Sequence, residues 1–234
     1  MALWIFGDSF AHPFEQDIEK SWPHLLSLHL KTNLKIRALS GCANEFIQQS
    51  ILEHLDQITQ DDYVVVVTTQ YDRRWFFLDK PNLGIAGHAY NLKDVVGKQK
   101  ANAVQSYYQY LDNDLTNRLF LQTFTAWLDV VQKKFKLNLL VIPASQCDLM
   151  FKLENYKVDG CLYDISIEET AEPCLENWHK FLEKRKGYDP RQCHICDENH
   201  QILAEKIAKT FLNGDGLNLK QGFAKDVLNT LYGD

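Results

Sequence analysis

The sequence contains little cysteine and no long apolar run. Its 6 cysteines in 234 residues, with Cys42 apart and the others between Cys147 and Cys196, are too few for a disulfide-dense scaffold, so reduced thiols are expected. No stretch has the length of a membrane span, and the N-terminus lacks a basic segment followed by a long apolar one. We therefore expect a cytoplasmic protein that does not bind membranes.

Positive charge is also in deficit. There are 25 Lys and Arg against 31 Asp and Glu, a formal net charge of -6, which argues against a nucleic-acid partner. Neither a phosphate-binding Gly-x-x-x-x-Gly-Lys loop nor a Gly-x-Gly-x-x-Gly pattern is present, so no cofactor is predicted. The sequence does not indicate an oligomeric state.

The overall composition, 45% hydrophobic and 24% charged, is that of an ordinary globular chain. A single domain over 1–234 is the default, and two small domains remain an alternative. Residues 79–115 and 148–191 interrupt the regular pattern and are predicted to be insertions between core elements.

Apolar runs alternate with segments of helical period, which is typical of an α/β fold with a mostly parallel sheet of about five strands. Short apolar runs predict the strands Leu3–Phe6, Leu34–Ala38, Tyr63–Thr68, Leu137–Ile142 and, less regularly, Val158–Ile165. Apolar residues three or four apart predict the helices Ser21–His29, Asn44–Leu55, Thr116–Phe135, Asn199–Leu212 and Lys220–Leu231.

The first predicted strand ends in Gly7, Asp8, Ser9 and Phe10. Ligands of open parallel sheets bind beyond the carboxyl ends of the strands, so Ser9 stands where a nucleophile would be useful. The structural alternative is a turn with a helix N-cap, since Asp and Ser favour both.

Near the other end, Asp197 precedes His200 by three residues at the start of a predicted helix. A serine nucleophile needs a base, and the base needs a carboxylate to orient it, so this pair could complete a catalytic triad with Ser9. The structural alternatives are a helix N-cap for Asp197 and a surface position for His200.

Taken together, Gly7-Asp8-Ser9-Phe10, Ser40-Gly41 and Asp197-x-x-His200 resemble the motifs of SGNH hydrolases, the GDSL-like esterases and lipases. The resemblance implies a flavodoxin-like three-layer α/β/α sandwich with Ser9 as nucleophile, His200 as general base and Asp197 as its orienting acid. It also implies that the backbone N–H groups of Ser9 and Gly41 form part of an oxyanion hole.

The third block of that family, Gly-x-Asn-Asp after the third strand, has no counterpart here, because the corresponding residues are Thr68-Thr69-Gln70-Tyr71-Asp72-Arg73. Gln70, then Thr69, then Arg73 could replace the missing Asn as an oxyanion donor. Asn44 is another candidate donor, with a helix N-cap as its structural alternative.

Tyr71, Arg73 and Trp75 follow the third strand and are predicted to contact substrate. Aromatic faces stack on sugars and acyl groups, and arginines pair with acidic groups. The alternative is an insertion that packs its own small core.

Cys193-His194-Ile195-Cys196 could in principle bind zinc, but the further ligands show no recognised spacing, so a structural role is favoured and no metal is predicted. His194 has no partner evident in the sequence and is predicted to be a surface or capping residue.

These features predict a serine ester hydrolase that works through an acyl-enzyme, on a small O-acyl group of a carbohydrate or another small molecule. The alternative is a binding protein on the same scaffold with weak or no catalysis. The segment Gly41-Cys42-Ala43-Asn44, followed by Thr-Thr-Gln-Tyr-Asp-Arg at 68–73, resembles divergent bacteriophage-encoded members, which suggests a host cytoplasm or a virion as the location.

Overall fold

The computed structural model describes residues 1–13, 18–76, 97–145, 150–151, 157–166 and 194–224. The described residues leave out most of the predicted insertion at 148–191. They also leave out residues 79–96 of the predicted insertion at 79–115. The predicted single domain with two insertions therefore stays a prediction.

A parallel sheet forms the centre of the molecule, in the order β2-β1-β3-β4. This confirms the predicted α/β class with a mostly parallel sheet, although the described residues give it four strands and not five. The strands are β1 (Ala2–Gly7), β2 (Asn33–Ala38), β3 (Tyr63–Thr68) and β4 (Asn138–Pro143).

Five α-helices are described, and four of them lie where the helical periodicity predicts. The exception is α3, which falls within the predicted insertion at 79–115. The helices are α1 (Trp22–Leu30), α2 (Asn44–His54), α3 (Lys98–Tyr110), α4 (Asp114–Phe135) and α5 (Asp197–Asn213). None of these described helices combines the length and apolar character that crossing a membrane requires.

The sheet is covered on both faces because successive strand residues point to opposite sides. Leu3 and Ile5 of β1 pack in one core with α1 and α5, whereas Trp4 and Phe6 pack in the other with α2 and α4. Both faces of β1 are buried throughout. The result is the three-layer α/β/α arrangement that the resemblance implies.

The predicted fifth strand is wrong for most of its length. Only Val158–Asp159 (β5) is extended, and it pairs with Leu217–Asn218 (β6) in a separate two-stranded sheet. Gly160 then adopts a φ of +94°, and the side chain of Asp164 caps a short 3-10 helix at Leu162–Ile165. This reversal ends the strand.

The predicted last helix, Lys220–Leu231, does not begin at Lys220. Residues 219–223 form bends, and 225–234 lie outside the described residues. The Lys206 ammonium donates to the carbonyl oxygens of Asn218 and Gln221, at 3.0 and 2.7 Å, and so holds this segment in a non-helical path against α5.

Candidate active site

A tight turn follows β1 and carries Ser9. The Oδ1 atom of Asp8 accepts from the backbone N–H of Phe10 at 3.0 Å, and the indole N–H of Trp22 donates to the Phe10 carbonyl at 2.7 Å. Gly7 permits the turn because a Cβ there would lie 2.8 Å from the Cβ atoms of Ala11 and Val67. Ser9 is thus held, partly buried, at the carboxyl end of a central strand.

A second turn follows β2 and lies against the first one. The Leu39 N–H donates to the carbonyl oxygen of Gly7 at 3.0 Å, and the turn closes with a bond from the Cys42 N–H to the Leu39 carbonyl. Gly41 adopts a φ of +74°, which favours glycine. Within the described part of the chain, the backbone N–H groups of Ser9 and Gly41 form no hydrogen bond.

Asn44 joins the start of α2 to the end of β3. Its amide donates to the Thr69 carbonyl at 3.3 Å and accepts from the Thr69 N–H at 3.0 Å, and the residue is 1% exposed. The structure therefore places Asn44, a predicted oxyanion donor, in a buried clamp on the backbone of Thr69.

The residues after β3 form a polar cluster around Arg73. Its Nε donates to Gln70 Oε1 at 2.9 Å, and its Nη1 donates to Thr69 Oγ1 at 3.1 Å and lies 3.4 Å from Asp8 Oδ2. Gln70 also donates from Nε2 to the Tyr163 hydroxyl at 3.1 Å. The structure thus brings together three predicted site residues, Thr69, Gln70 and Arg73, beside the Ser9 turn.

The carboxyl of Asp8 is almost fully buried at the centre of this cluster. Burial raises its pKa, although the Phe10 N–H, the Arg73 charge, the Thr69 hydroxyl and a positive charge on His194 act to lower it. Desolvation opposes ionisation of a carboxyl more than these partners favour it.

His194 lies at the same turn, in the segment that precedes α5. Its imidazole stacks on the Phe10 ring, with centroids 4.9 Å apart and planes inclined by 14°. Its charge also acts on Asp8. His194 therefore packs against the residue that follows Ser9, a contact that the predicted surface or capping role does not include.

His200 and Asp197, the predicted base and acid, make other contacts. His200 Nδ1 accepts from the backbone N–H of Trp22 at 3.2 Å, and Asp197 Oδ2 lies 3.3 Å from the Lys20 ammonium. In a triad the Nδ1 atom of the base carries a proton and donates it to the acid, so an Nδ1 that accepts a hydrogen bond has the opposite role. The triad of Ser9, Asp197 and His200 stays a prediction to which these contacts give no support.

The three predicted substrate-binding residues have different surroundings. Trp75 is 8% exposed and packs on Phe46, with ring centroids 5.0 Å apart. Its ring is therefore a core side chain, as the alternative to substrate binding predicts. Tyr71 donates its hydroxyl to Asp114 at 2.7 Å, and this bond raises the pKa of Tyr71. Of the three, Arg73 is the one that contacts the Ser9 turn.

Cys196 is buried, and burial raises the pKa of its thiol, as it does for Cys42 and Cys161. Cys193 lies outside the described residues. In the described ranges, no group of three or more His, Cys, Asp and Glu side chains could hold a metal ion.

One signal in the sequence separates the two histidines. His200 lies inside a helical period, whereas His194 stands before that period begins. A residue in the loop that leads into a helix can face a site at the edge of a sheet, whereas one inside the helix is committed to a helix face.

No family model and no curated protein matches the chain. Among solved structures, it is similar to a G-D-S-L family protein from Desulfitobacterium hafniense DCB-2 that is named as lipolytic. The identity is 15%, the match covers 67% of this chain and 86% of that one, and the TM-score is 0.27.

Proposed function

We propose that the protein is a serine ester hydrolase in which Ser9 forms an acyl-enzyme and His194 is the general base. The observation that supports this is the stacking of the His194 imidazole on Phe10, the residue that follows Ser9. The backbone N–H groups of Ser9 and Gly41 form no hydrogen bond with any described residue, so they are two further candidate donors to the carbonyl oxygen.

In the proposed reaction, Ser9 Oγ attacks the acyl carbon while His194 takes the hydroxyl proton. The electron pair moves to the carbonyl oxygen and returns as the C–O bond to the alcohol breaks. The imidazolium gives its proton to the departing alcohol, and the negative charge of Asp8 stabilises it in the interval. Water, deprotonated by the same imidazole, then releases the acid and restores Ser9.

His200 is the competing base, together with Asp197. Its bond from Trp22 leaves a neutral imidazole with the proton on Nε2, the atom that would have to accept the serine proton. Capping the first turn of α1 accounts for this contact, and the bond of Asp197 to Lys20 lies at the surface. We therefore assign the base to His194.

The test is intact-mass analysis after treatment with a fluorophosphonate probe, applied to the wild type and to Ser9→Ala, His194→Ala and His200→Ala. We expect one adduct on the wild type and none on Ser9→Ala. Loss of a general base slows such steps by about 100 to 10,000-fold, so His194→Ala should label slowly and His200→Ala at close to the wild-type rate.

Thermal unfolding of each variant shows whether slow labelling reflects lost folding. Slow labelling of folded His200→Ala, with His194→Ala at the wild-type rate, would restore the triad of Ser9, Asp197 and His200. A folded wild type that forms no adduct would contradict the hydrolase proposal itself.

The proposed substrate is a small O-acyl group, on a carbohydrate or another small molecule. Aryl acetates and acetylated carbohydrates are the first compounds to screen, with short and long acyl chains compared directly. The bacteriophage source and the cytoplasmic or virion location stay predictions.

A second candidate is a binding protein that has lost efficient catalysis. The contacts of Asp197 with Lys20 and of His200 with Trp22 favour it, because a surface ion pair and a helix cap stabilise a fold without any part in proton transfer. Absence of labelling together with capture of a glycan ester by the folded protein would support this function.

A further inference from the structure

A developing negative charge in this site lacks the side-chain donor that the family places after the third strand. The sequence offers four replacements, Gln70, Thr69, Arg73 and Asn44, and the structure distinguishes them by what their polar atoms already bind. An oxyanion donor needs an N–H or O–H that is held in place and still available.

Three of the four are neutral groups that already bind other protein groups. Asn44 donates and accepts at the backbone of Thr69. Gln70 has one bond at each end of its amide, and the Thr69 hydroxyl accepts from Arg73. These bonds hold the cluster together, and the donor protons that the three side chains keep belong to neutral groups.

Arg73 differs because a guanidinium has five N–H groups on one rigid plane. The Nε and Nη1 atoms bind Gln70, Thr69 and Asp8, which fixes the plane from two strand ends. The Nη2 atom forms no hydrogen bond to any residue in the described ranges, and the side chain is 18% exposed.

From this geometry we infer that Arg73 replaces the missing Asn as the third oxyanion donor, beside the backbone N–H groups of Ser9 and Gly41. Gln70, Thr69 and Asp8 are its positioning residues. The inference rests on the proposed ester hydrolysis, and it adds a fixed positive charge where the carbonyl oxygen becomes negative. A charged donor forms a stronger hydrogen bond than a neutral amide, so the departure from the family pattern does not imply a weak site.

The reaction step is the one described above for Ser9. As the Oγ–carbon bond forms, the carbonyl electron pair moves to oxygen, where Nη2 of Arg73 donates a hydrogen bond. As the pair returns and the alcohol departs, that bond weakens again. The arginine keeps its protons throughout.

The test compares Arg73→Ala with the wild type on 4-nitrophenyl acetate, by kcat and KM, and by the rate of fluorophosphonate labelling. We expect kcat and the labelling rate to fall by about 100 to 1000-fold, with KM little changed. Millimolar guanidinium chloride should restore part of the lost rate. Arg37→Ala, which removes an exposed arginine bonded to His54, is the matched control.

Thermal unfolding shows which variants fold. If Arg73→Ala does not fold, the same measurements are made on Arg73→Lys and Arg73→Gln. We expect the lysine variant to be more active than the glutamine variant because it keeps the positive charge. An increase in KM at constant kcat would make Arg73 a substrate-binding residue and overturn the inference. Wild-type activity in a folded Arg73→Ala would overturn it alone, whereas a wild type that neither labels nor hydrolyses would overturn both proposals.

Discussion

The backbone N–H of Trp22 donates to Nδ1 of His200 across 3.2 Å, so a side chain in the first turn of α5 caps the first turn of α1. The first N–H groups of a helix have no partner within it, and Ser21, the residue before α1, provides no side-chain cap. His200 fills that role from a distant part of the chain, because α1 and α5 pack together on one face of the sheet.

His200→Ala should therefore act on stability. Loss of the cap leaves the Trp22 N–H without its partner, and we expect the free energy of unfolding to fall by about 1 kcal/mol. Urea denaturation measures this change. His24→Ala, at a partly buried position within α1, is the control for loss of a histidine from the same region. An unchanged stability in His200→Ala would show that the contact with Trp22 is not a cap.

The clamp between Asn44 and Thr69 supports a second prediction. Asn44→Ala removes both hydrogen bonds and leaves the buried backbone N–H and carbonyl of Thr69 unsatisfied. We expect a loss of about 2 to 4 kcal/mol in the free energy of unfolding, measured by urea denaturation.

Asn44→Asp separates the two bonds of this clamp. A carboxylate can still accept from the Thr69 N–H, but it repels the Thr69 carbonyl, so its stability should be no greater than that of Asn44→Ala. Recovery of wild-type stability in Asn44→Asp would contradict the importance of the bond to the carbonyl.

Local pattern alone predicts the central sheet. The strand Tyr63–Thr68 is found with the bounds predicted for it, because a run of valines after two acidic residues suits a position buried on both faces wherever it lies in the sheet. The region after β4 is different. There Gly160 and Asp164 reverse the chain after two paired residues, and the partner of those residues is more than 50 positions away at Leu217–Asn218.

The site is less predictable than the sheet, since its contacts join distant segments. The places of Ser9 and Gly41 in the site can be predicted because both residues come shortly after predicted strands. The stacking of Phe10 on His194 depends instead on how the loop before α5 packs across the sheet edge. The ring of Trp75 has the composition of a binding residue, and only its packing on Phe46 shows it to be core. The spacing of Asp197 and His200 matches a motif and therefore predicts His200 as the base. No spacing in the sequence predicts its hydrogen bond with Trp22, because 178 positions separate the two residues.

Gly7→Ala should damage both stability and the Ser9 turn. The added Cβ would lie 2.8 Å from the Cβ atoms of Ala11 and Val67, neither of which can rotate away. Overpacking of this kind costs about 1 to 3 kcal/mol, and the displaced turn should label slowly with a fluorophosphonate.

Gly41→Ala is the comparison for that substitution. Its Cβ would meet nothing within 4 Å, but its φ of +74° is strained for alanine, so about 1 kcal/mol is expected without overpacking. Stability equal to the wild type in Gly7→Ala would show that the strand end adjusts without strain.

The buried carboxyl of Asp8 predicts a pH dependence of stability with a definite sign. Burial raises its pKa above the ordinary 3.8, so the folded state holds the proton more tightly than the unfolded state. The contribution of Asp8 to stability is then complete below 3.8 and is lost as the pH rises through the folded pKa. Asp8→Asn removes this titration while it keeps an oxygen that can accept from the Phe10 N–H.

The measurement is the free energy of unfolding of the wild type minus that of Asp8→Asn, by urea denaturation across the acidic and neutral range. We expect this difference to become less favourable to the wild type as the pH rises from below 3.8, and then to level off. Asp62, whose pKa is lowered by the N–H groups of Thr59 and Ala2 despite desolvation, provides the opposite case. The contribution of Asp62 is lost as the pH falls, and a wild type minus Asp62→Asn difference should therefore slope the other way. A difference for Asp8 that rose with pH would mean that the Arg73 charge and the other partners outweigh burial.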